Sequence, residues 1–210
     1  MKKADQMATT LRRTQEKRTA ETRAALINGA ISAVHRLGYG GATTALIAEE
    51  AGVSRGALTH HFDSRADLMA CVVSWVYQQE LEHYAAATSR DGRGERLADW
   101  PDLVWEVLSK PSGLAVLEIL QATRSDTELA ERVRPVQVGI EQAGLDVMER
   151  RFGGDERTRH AIVRLIVWAI RGLTIERVLV SNPDAVRDSV DMLRLLIERA
   201  APNGAIEELQ

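Results

Sequence analysis

The sequence predicts an all-α fold with two unequal parts, an N-terminal three-helix domain and a larger helical domain after it. Three observations support this prediction. Aromatic residues make up only 4% of the 210 residues, which favours helices over a β-sandwich. Strand signals are scarce, while apolar residues recur at helical spacing through most of the chain. Glycine and proline interrupt that spacing, as at Gly38, Gly52, Pro111, Gly153 and Pro183.

The first predicted helix runs from about Arg18 to Leu37. Its apolar residues recur three and four positions apart, as the buried face of a helix requires. They are Leu26, Ala30, Ala33, Val34 and Leu37. Gly38 ends this helix, and Gly40 and Gly41 provide a short turn before the next one.

Residues 44–62 have the pattern of a helix-turn-helix. Thr44 suits the N-cap of a short helix that reaches Ala51, and Ser54 suits the N-cap of a second that reaches about His61. Two short helices cross tightly only with a small residue at the contact, a flexible turn and an apolar filling. The small residue is Ala48, the turn is Gly52, and the filling is Ile47, Ala51, Val53 and Leu58.

The second of these helices has a small, polar outer face. With Leu58 pointing inward, a rotation of 100° per residue places Gly56 and His60 outward, with Ala57 and Thr59 on the flanks. This face permits a duplex to approach closely. Its hydrogen-bond donors for base edges or phosphates are Arg55, Thr59 and His60.

The neighbouring residues His60 and His61 do not form a metal site, because adjacent side chains on a helix point about 100° apart. We expect His61 and Phe62 to pack toward the first helix, which leaves His60 facing outward.

Six further helices account for the rest of the chain. The fourth begins at Ser64, where Ser64 to Asp67 has the form of a capping box, and continues to about Ala87. The segment from Thr88 to Arg96 reads as a loop, and the last nine residues, 202–210, as a flexible tail. The other helices are predicted at about 99–109, 113–123, 127–151, 156–181 and 184–200.

Composition indicates a soluble protein of a reducing cytoplasm. The single cysteine, Cys71, cannot form an intrachain disulfide, and no Cys/His spacing suggests a zinc site. The first 13 residues contain no apolar run of signal-peptide length, and charges interrupt the most apolar segment, 161–180. We expect a cytoplasmic protein with no membrane association, no metal and no other cofactor.

Charge is distributed unevenly along the chain. Although the net charge is −3, residues 1–70 contain 10 basic and 7 acidic residues, which gives +3. The totals of 27 basic and 30 acidic residues leave 17 and 23 for residues 71–210, which gives −6. Since DNA attracts cationic surfaces, the N-terminal part is the candidate for binding it.

The stretch from residue 44 to residue 68, TALIAEEAGVSRGALTHHFDSRADL, resembles the DNA-binding domain of the TetR family of transcription regulators. The first helix and Gly38-Tyr39 extend the resemblance to about 50 residues. From about Met69 onward, only length and helical content are similar. The resemblance implies a basic flexible tail (1–17), a helix-turn-helix domain (18–63), an effector-binding and dimerisation domain (64–201) and a flexible tail (202–210).

The resemblance also implies which residues meet DNA. Thr44 would contact a phosphate at the start of its helix, and Ser64 and Arg65 would form a phosphate site at the start of the fourth helix, where the family usually has Lys in place of Arg65. The family commonly has Tyr where this chain has Thr59, so the usual tyrosine–phosphate contact is in question. The remaining operator-facing residues are Ser54, Arg55, Ala57, Thr59 and His60.

The basic stretch Arg12, Arg13, Lys17 and Arg18 has two interpretations. It suits an arm that enters the DNA minor groove, and it equally suits a disordered solubilising tail.

Candidates for an effector site lie in the larger domain, which contains all four tryptophans. A small, largely apolar or aromatic effector would suit a pocket that they line, although each tryptophan equally suits an ordinary core. Arg171, beside Gly172 in an apolar helix, would anchor an anion or pair with an acidic neighbour. The candidate effector-binding residues are Trp75, Trp105, Met148, Trp168 and Arg171.

The last two predicted helices indicate a homodimer. Residues 162–179 are apolar around much of the helix, and the final helix has an apolar stripe of Val186, Val190, Leu193 and Ile197. One face of this pair serves the core, and the other suits a second copy, so that a two-fold dimer would match a two-fold operator. The alternative is a monomeric bundle with a thick core.

Together these features predict a repressor that binds a palindromic operator as a homodimer and is released by a small-molecule effector. An enzyme is not expected, because the sequence has no Gly-rich phosphate loop, nucleophile motif or distinctive pair of carboxylates. The alternative is a helical protein-interaction module. Such a module would explain the dimer helices but not the outward-facing Gly56, Thr59 and His60.

Overall fold

The computed structural model describes residues 2–179 and 182–209, with the side chains from residue 15 onward except that of residue 183. Within these ranges the chain is helical and has no strand, which confirms the predicted all-α class. Short 3₁₀ turns lie at Leu97–Asp99 and Ile206–Leu209. The helices are α1 (Lys2–Gly41), α2 (Thr44–Glu50), α3 (Arg55–His61), α4 (Arg65–Asp91), α5 (Trp100–Leu108), α6 (Pro111–Ala122), α7 (Thr127–Phe152), α8 (Glu156–Leu179) and α9 (Pro183–Ala200).

The first hydrophobic core joins α1, α2, α3 and the start of α4 to α6 and the start of α7. Leu26, Ile47, Leu58, Phe62 and Leu68 are all buried in it. Between α2 and α3, Gly52 adopts a left-handed backbone with φ of 66°, as the predicted turn requires. These contacts fix the angle at which α3 stands on the rest of the protein.

The two ends of the chain differ from their predicted flexible tails. The backbone of α1 is helical from Lys2, because residues 2–17 are rich in Lys, Arg, Ala and Gln, which favour helices. The side chains of Arg12 and Arg13 lie outside the described residues, so their contact with DNA remains a prediction. At the other end, residues 202–209 fold back over the larger domain, because the Ile206 side chain is fully buried there.

The second hydrophobic core holds the larger domain together. It joins the end of α4 to α5, α7, α8, α9 and the C-terminal turn, with Trp100, Phe152, Ile170 and Ile197 among its buried residues. Because α1 packs along α6, the two domains share an extended contact, while α4 packs along α7 within the larger domain. In the part of the chain that is described, no helix is both long enough and apolar enough to cross a membrane.

Candidate nucleic-acid interface

Helix α3 is capped at one end and anchored at its centre. The Ser54 side chain accepts a hydrogen bond from the backbone N–H of Ala57 at 3.1 Å, which satisfies a free donor of the first turn. Leu58 is only 2% exposed and holds the inner face against the core. Arg55, Gly56, Thr59 and His60 are exposed, while Ala57 is half-buried on the flank. The helix therefore presents a face that matches the predicted one.

The far end of α3 is tied to α1 by Arg23. Its guanidinium lies 4.4 Å from the centre of the Phe62 ring, and Nη1 donates to the carbonyl oxygen of His61 at 3.2 Å. Nη2 also donates to Cys71 Sγ at 2.9 Å, and burial raises the pKa of that thiol. His61 and Phe62 thus pack toward the first helix as predicted, and His60 remains outside.

The hydroxyl of Thr59 is directed toward its own helix. Thr59 Oγ1 lies 3.1 Å from the carbonyl oxygen of Gly56 and 3.4 Å from that of Arg55, and it donates its single hydrogen to this pair. It can still accept a hydrogen bond, but a phosphate oxygen requires a donor. Thr59 consequently does not offer, in this arrangement, the donor that the family's usual tyrosine would supply.

Helix α2 begins one residue earlier than its predicted cap implies. Thr43, and not Thr44, is the N-cap, because the Thr43 hydroxyl accepts from the backbone N–H of Leu46 at 3.3 Å. Thr44 is the first helical residue and is half-buried. At the other end, Glu50 accepts a hydrogen bond from Ser32 at 2.6 Å and pairs with Arg36, both on α1.

Ser64 and Arg65 lie together at the start of α4 but have different partners. Ser64 accepts from the backbone N–H of Asp67 at 3.2 Å, which forms that half of the predicted capping box. The Arg65 guanidinium stacks 4.0 Å from the centre of the Tyr39 ring, and Nη2 donates to the Tyr39 carbonyl oxygen. Arg65 is therefore directed at Tyr39, and a phosphate contact would have to use its remaining N–H groups or its backbone amide.

Tyr39 continues this contact into the larger domain. Its hydroxyl donates to Asp126 Oδ2 at 2.5 Å, and Asp126 Oδ1 accepts from the backbone N–H of Leu129 as the N-cap of α7. Burial and the bond to Asp126 raise the pKa of Tyr39 to about 12. The start of α4 and the start of α7 are thus joined through one side chain.

The five candidate effector residues are not brought into one pocket. Trp75 packs against the first core, whereas Met148 is buried in the second and Trp105 packs against it. Trp168 is 55% exposed on the outer side of α8. The Arg171 guanidinium lies 4.9 Å from the centre of the Trp168 ring and is itself largely buried.

Two features of the interface were not predicted. A Cβ atom on Gly29 would lie 2.9 Å from both the Ile47 carbonyl oxygen and the Ala51 nitrogen, so this glycine allows α1 and α2 to touch. Its signal was a glycine inside an otherwise regular helical pattern. The contact from Tyr39 to Asp126 had no local signal, because the two residues are 87 positions apart.

Comparison with known proteins supports a DNA-binding role for this interface. Residues 26–72 match the profile of the family described as bacterial regulatory proteins, tetR family. The chain is 30% identical over 175 residues to the HTH-type transcriptional regulator CymR of Pseudomonas putida, which covers 78% of this chain and 83% of the relative. It is 29% identical over 195 residues to an uncharacterized HTH-type transcriptional regulator of Mycobacterium tuberculosis (strain ATCC 25618 / H37Rv), covering 88% and 97%.

The same likeness extends to solved structures. A member of the TetR family from Streptomyces coelicolor A3 superposes with a TM-score of 0.63 at 21% identity, over 85% of this chain and 96% of that one. The agreement includes the larger domain, for which the sequence had predicted similarity only in length and helical content.

Proposed function

The chain belongs to the TetR family and is a DNA-binding transcriptional regulator, and from this premise we propose that it is a repressor whose homodimer leaves its operator when a small molecule binds. The exposed face of α3 is the observation that carries the proposal. A capped, well-anchored helix that exposes Arg55, Gly56, Thr59 and His60 is suited to entering the major groove. Such a regulator would act in the cytoplasm, where bacterial DNA lies.

The DNA-facing residues take two roles in this proposal. Arg55 and His60 read base edges, because their donors are exposed and extend beyond the backbone of α3. The starts of the helices position the protein on phosphates, since free backbone N–H groups and the helix dipole attract anions there. These positions are Thr44, Ser54, Ser64 and Arg65.

The proposed dimer forms through α8 and α9. Isolated apolar residues are common on surfaces, but a continuous apolar patch on a soluble protein indicates a partner. Leu165, Trp168, Ile175 and Leu179 are exposed along α8, and a Cβ atom added to the exposed Gly172 between them would meet nothing within 4 Å. The exposed apolar residues on α9 are Met192, Leu195 and Leu196.

A two-fold dimer through this apolar face would present one α3 helix from each subunit. Helix-turn-helix half-sites are typically about 34 to 36 Å apart, or at multiples of that spacing. A palindromic operator would then match the symmetry of the protein.

Effector release would use the contacts between the domains. Because α4 contributes to both cores, and Tyr39 joins α4 to the start of α7, a shift in the larger domain moves the start of α4 and α3 beside it. A ligand must prefer the released state by about 5.5 kcal/mol to change its population from 1:99 to 99:1.

Selection of DNA by the purified full-length protein tests the proposal. We expect it to retain fragments that share a palindrome, and a subset of small molecules to release them. Failure to enrich any sequence from a random library, at low salt as well as physiological salt, would contradict sequence-specific repression and favour the helical protein-interaction module.

A further inference from the structure

A group of polar side chains lies inside the larger domain between α4 and α8. Tyr77, Glu80 and Tyr84 are three and four positions apart and so share one face of α4. Arg171 approaches them from α8, close enough that its charge acts on both Glu80 and Tyr84. We call these four residues the buried polar cluster.

Two hydrogen-bond donors of the buried polar cluster have no acceptor among the described residues. Arg171 Nη1 and the Tyr77 hydroxyl are both inaccessible to solvent and have no hydrogen-bond partner among the described residues. Burial lowers the pKa of Arg171, while the nearby Glu80 supports its charge. Unpaired buried donors are rare in folded proteins, and a guanidinium is the most expensive kind to leave unpaired.

Aromatic rings lie beside two members of the buried polar cluster. Trp168 lies against the Arg171 guanidinium at 4.9 Å. The Tyr84 ring lies 5.3 Å from that of Trp100, which in turn lies 6.3 Å from that of Phe152. The Arg171 guanidinium and the Tyr84 ring therefore each have an aromatic ring beside them.

We propose that the buried polar cluster anchors the acidic group of the effector, which is a small carboxylate on an apolar or aromatic skeleton. This inference rests on the proposed release by an effector and names the class of that effector. A carboxylate would accept one hydrogen bond from the unpaired Arg171 Nη1 and another from the Tyr77 hydroxyl. A cation would be repelled by Arg171, and a neutral ligand would offer it no opposite charge.

Glu80 makes this binding depend on pH. Burial raises the pKa of Glu80 to about 7, against the opposing effect of Arg171. Within the cluster, Tyr77 and Tyr84 also interact electrostatically with Glu80, and from outside it Asp146 on α7 acts on Tyr77. When protonated, Glu80 donates a hydrogen bond to the ligand, and when ionised it repels the ligand and competes for Arg171. Affinity should fall by about tenfold per pH unit above about 7 and level off below it.

Matched probes test the charge requirement on the full-length protein without DNA. Phenylacetate, 3-phenylpropionate and hexanoate are the carboxylates, phenylacetamide is the neutral match, and benzyltrimethylammonium is the cation. Calorimetry and tryptophan fluorescence measure binding. We expect at least one carboxylate to bind, and to bind roughly ten- to a hundredfold more tightly than its amide, as the loss of a bond to a charged group implies.

Variants assign this binding to the cluster. Arg171→Gln should abolish the preference for carboxylates, whereas Arg164→Gln, on the same helix but exposed and paired with Glu141, should not change it. Tyr77→Phe removes only the hydroxyl and should weaken carboxylate binding several-fold, which keeps the test valid if Arg171→Gln does not fold. Glu80→Gln should retain binding and remove its dependence on pH.

Three results would overturn the inference. They are no binding of any of the three carboxylates at millimolar concentration, equal or better binding of the amide or the cation, and a preference that survives both Arg171→Gln and Tyr77→Phe. Because DNA is absent, these results are independent of operator selection: failure to select an operator would refute the repressor proposal even if carboxylates bind.

Discussion

At the scale of single residues, the recognition helix combines exposed donors with a fixed backbone. Arg55 and His60 are exposed, while Leu58 and the Ser54 cap hold α3 in place. Thr59 is the exception on this face, because its hydroxyl hydrogen is used within the helix. The outward direction of these side chains could be predicted from helical geometry alone. The orientation of Arg65 could not, since it depends on the ring of Tyr39 26 positions away.

Restoring a phenol at position 59 should strengthen DNA binding. Thr59→Tyr would donate to a phosphate oxygen and raise affinity for operator and random DNA alike, by at most about 1.5 to 3 kcal/mol. The salt dependence of binding should not change, because the phenol is uncharged and releases no counterions. Thr59→Phe, which lacks the hydroxyl, is the control. An equal gain from Phe would show that the ring and not a phosphate bond is responsible.

Glu80 should make stability depend on pH in a way that an exposed glutamate does not. The pKa of Glu80 in the folded protein, about 7, exceeds the ordinary 4.5. The stability that Glu80 contributes is therefore fully present below about pH 4.5 and is lost as the pH rises through about 7. Glu80→Gln should therefore stabilise the protein at pH 8, by up to about 3 kcal/mol, and have little effect at pH 4.5. Urea denaturation at the two pH values measures this. A gain of equal size at both would contradict the assignment.

At the scale of helices, most boundaries could be predicted because the capping signals are local. Ser54 caps α3 and Ser64 caps α4, as predicted, and Gly52 forms the predicted turn. The cap of α2 was displaced by one residue because Thr43 and Thr44 are both competent to cap. The C-terminal turn was missed because its stability comes from the burial of Ile206 against distant helices, which no local pattern reveals.

The crossing of α1 and α2 should tolerate no side chain at Gly29. Gly29→Ala would place a methyl group against the backbone of α2, and we expect it to destabilise the protein by about 1 to 3 kcal/mol. Gly139→Ala is the matched control, because Gly139 is also helical but a Cβ atom added there would meet nothing within 4 Å. That control should stabilise α7 by up to about 1 kcal/mol. Thermal unfolding measures the stability of both variants. Equal changes in stability would refute the close crossing of α1 and α2.

At the scale of the whole molecule, function depends on how two cores are joined and on what covers the apolar face of α8 and α9. The apolar last helices could be predicted from hydrophobic periodicity, and the division into two unequal parts from the family resemblance of the N-terminal part. The Tyr39–Asp126 contact and the buried polar cluster could not, because each joins residues that are far apart in sequence. For the same reason, the sequence singled out Arg171 but not Tyr77 or Glu80.

A charge on the proposed dimer face should produce a monomer. Leu196 is 59% exposed on α9, and Leu196→Asp would place a carboxylate in the interface, where an unpaired charge is costly. Val138→Asp is the control, since Val138 is 66% exposed but lies on α7, which contributes no residue to that face. Sedimentation velocity should show a dimer for the control and a monomer with weakened operator binding for Leu196→Asp. A wild-type monomer that binds its operator fully would contradict the dimer.

The most direct test of the account is the affinity of Arg55→Ala and His60→Ala for a selected operator and for random DNA of the same length. If α3 reads base edges, each variant should lose about 1 to 3 kcal/mol on the operator and much less on random DNA, while Arg157→Ala, exposed on α8, should bind as the wild type does. Equal losses on both DNAs, or no loss on the operator, would contradict the claim that α3 is the recognition helix.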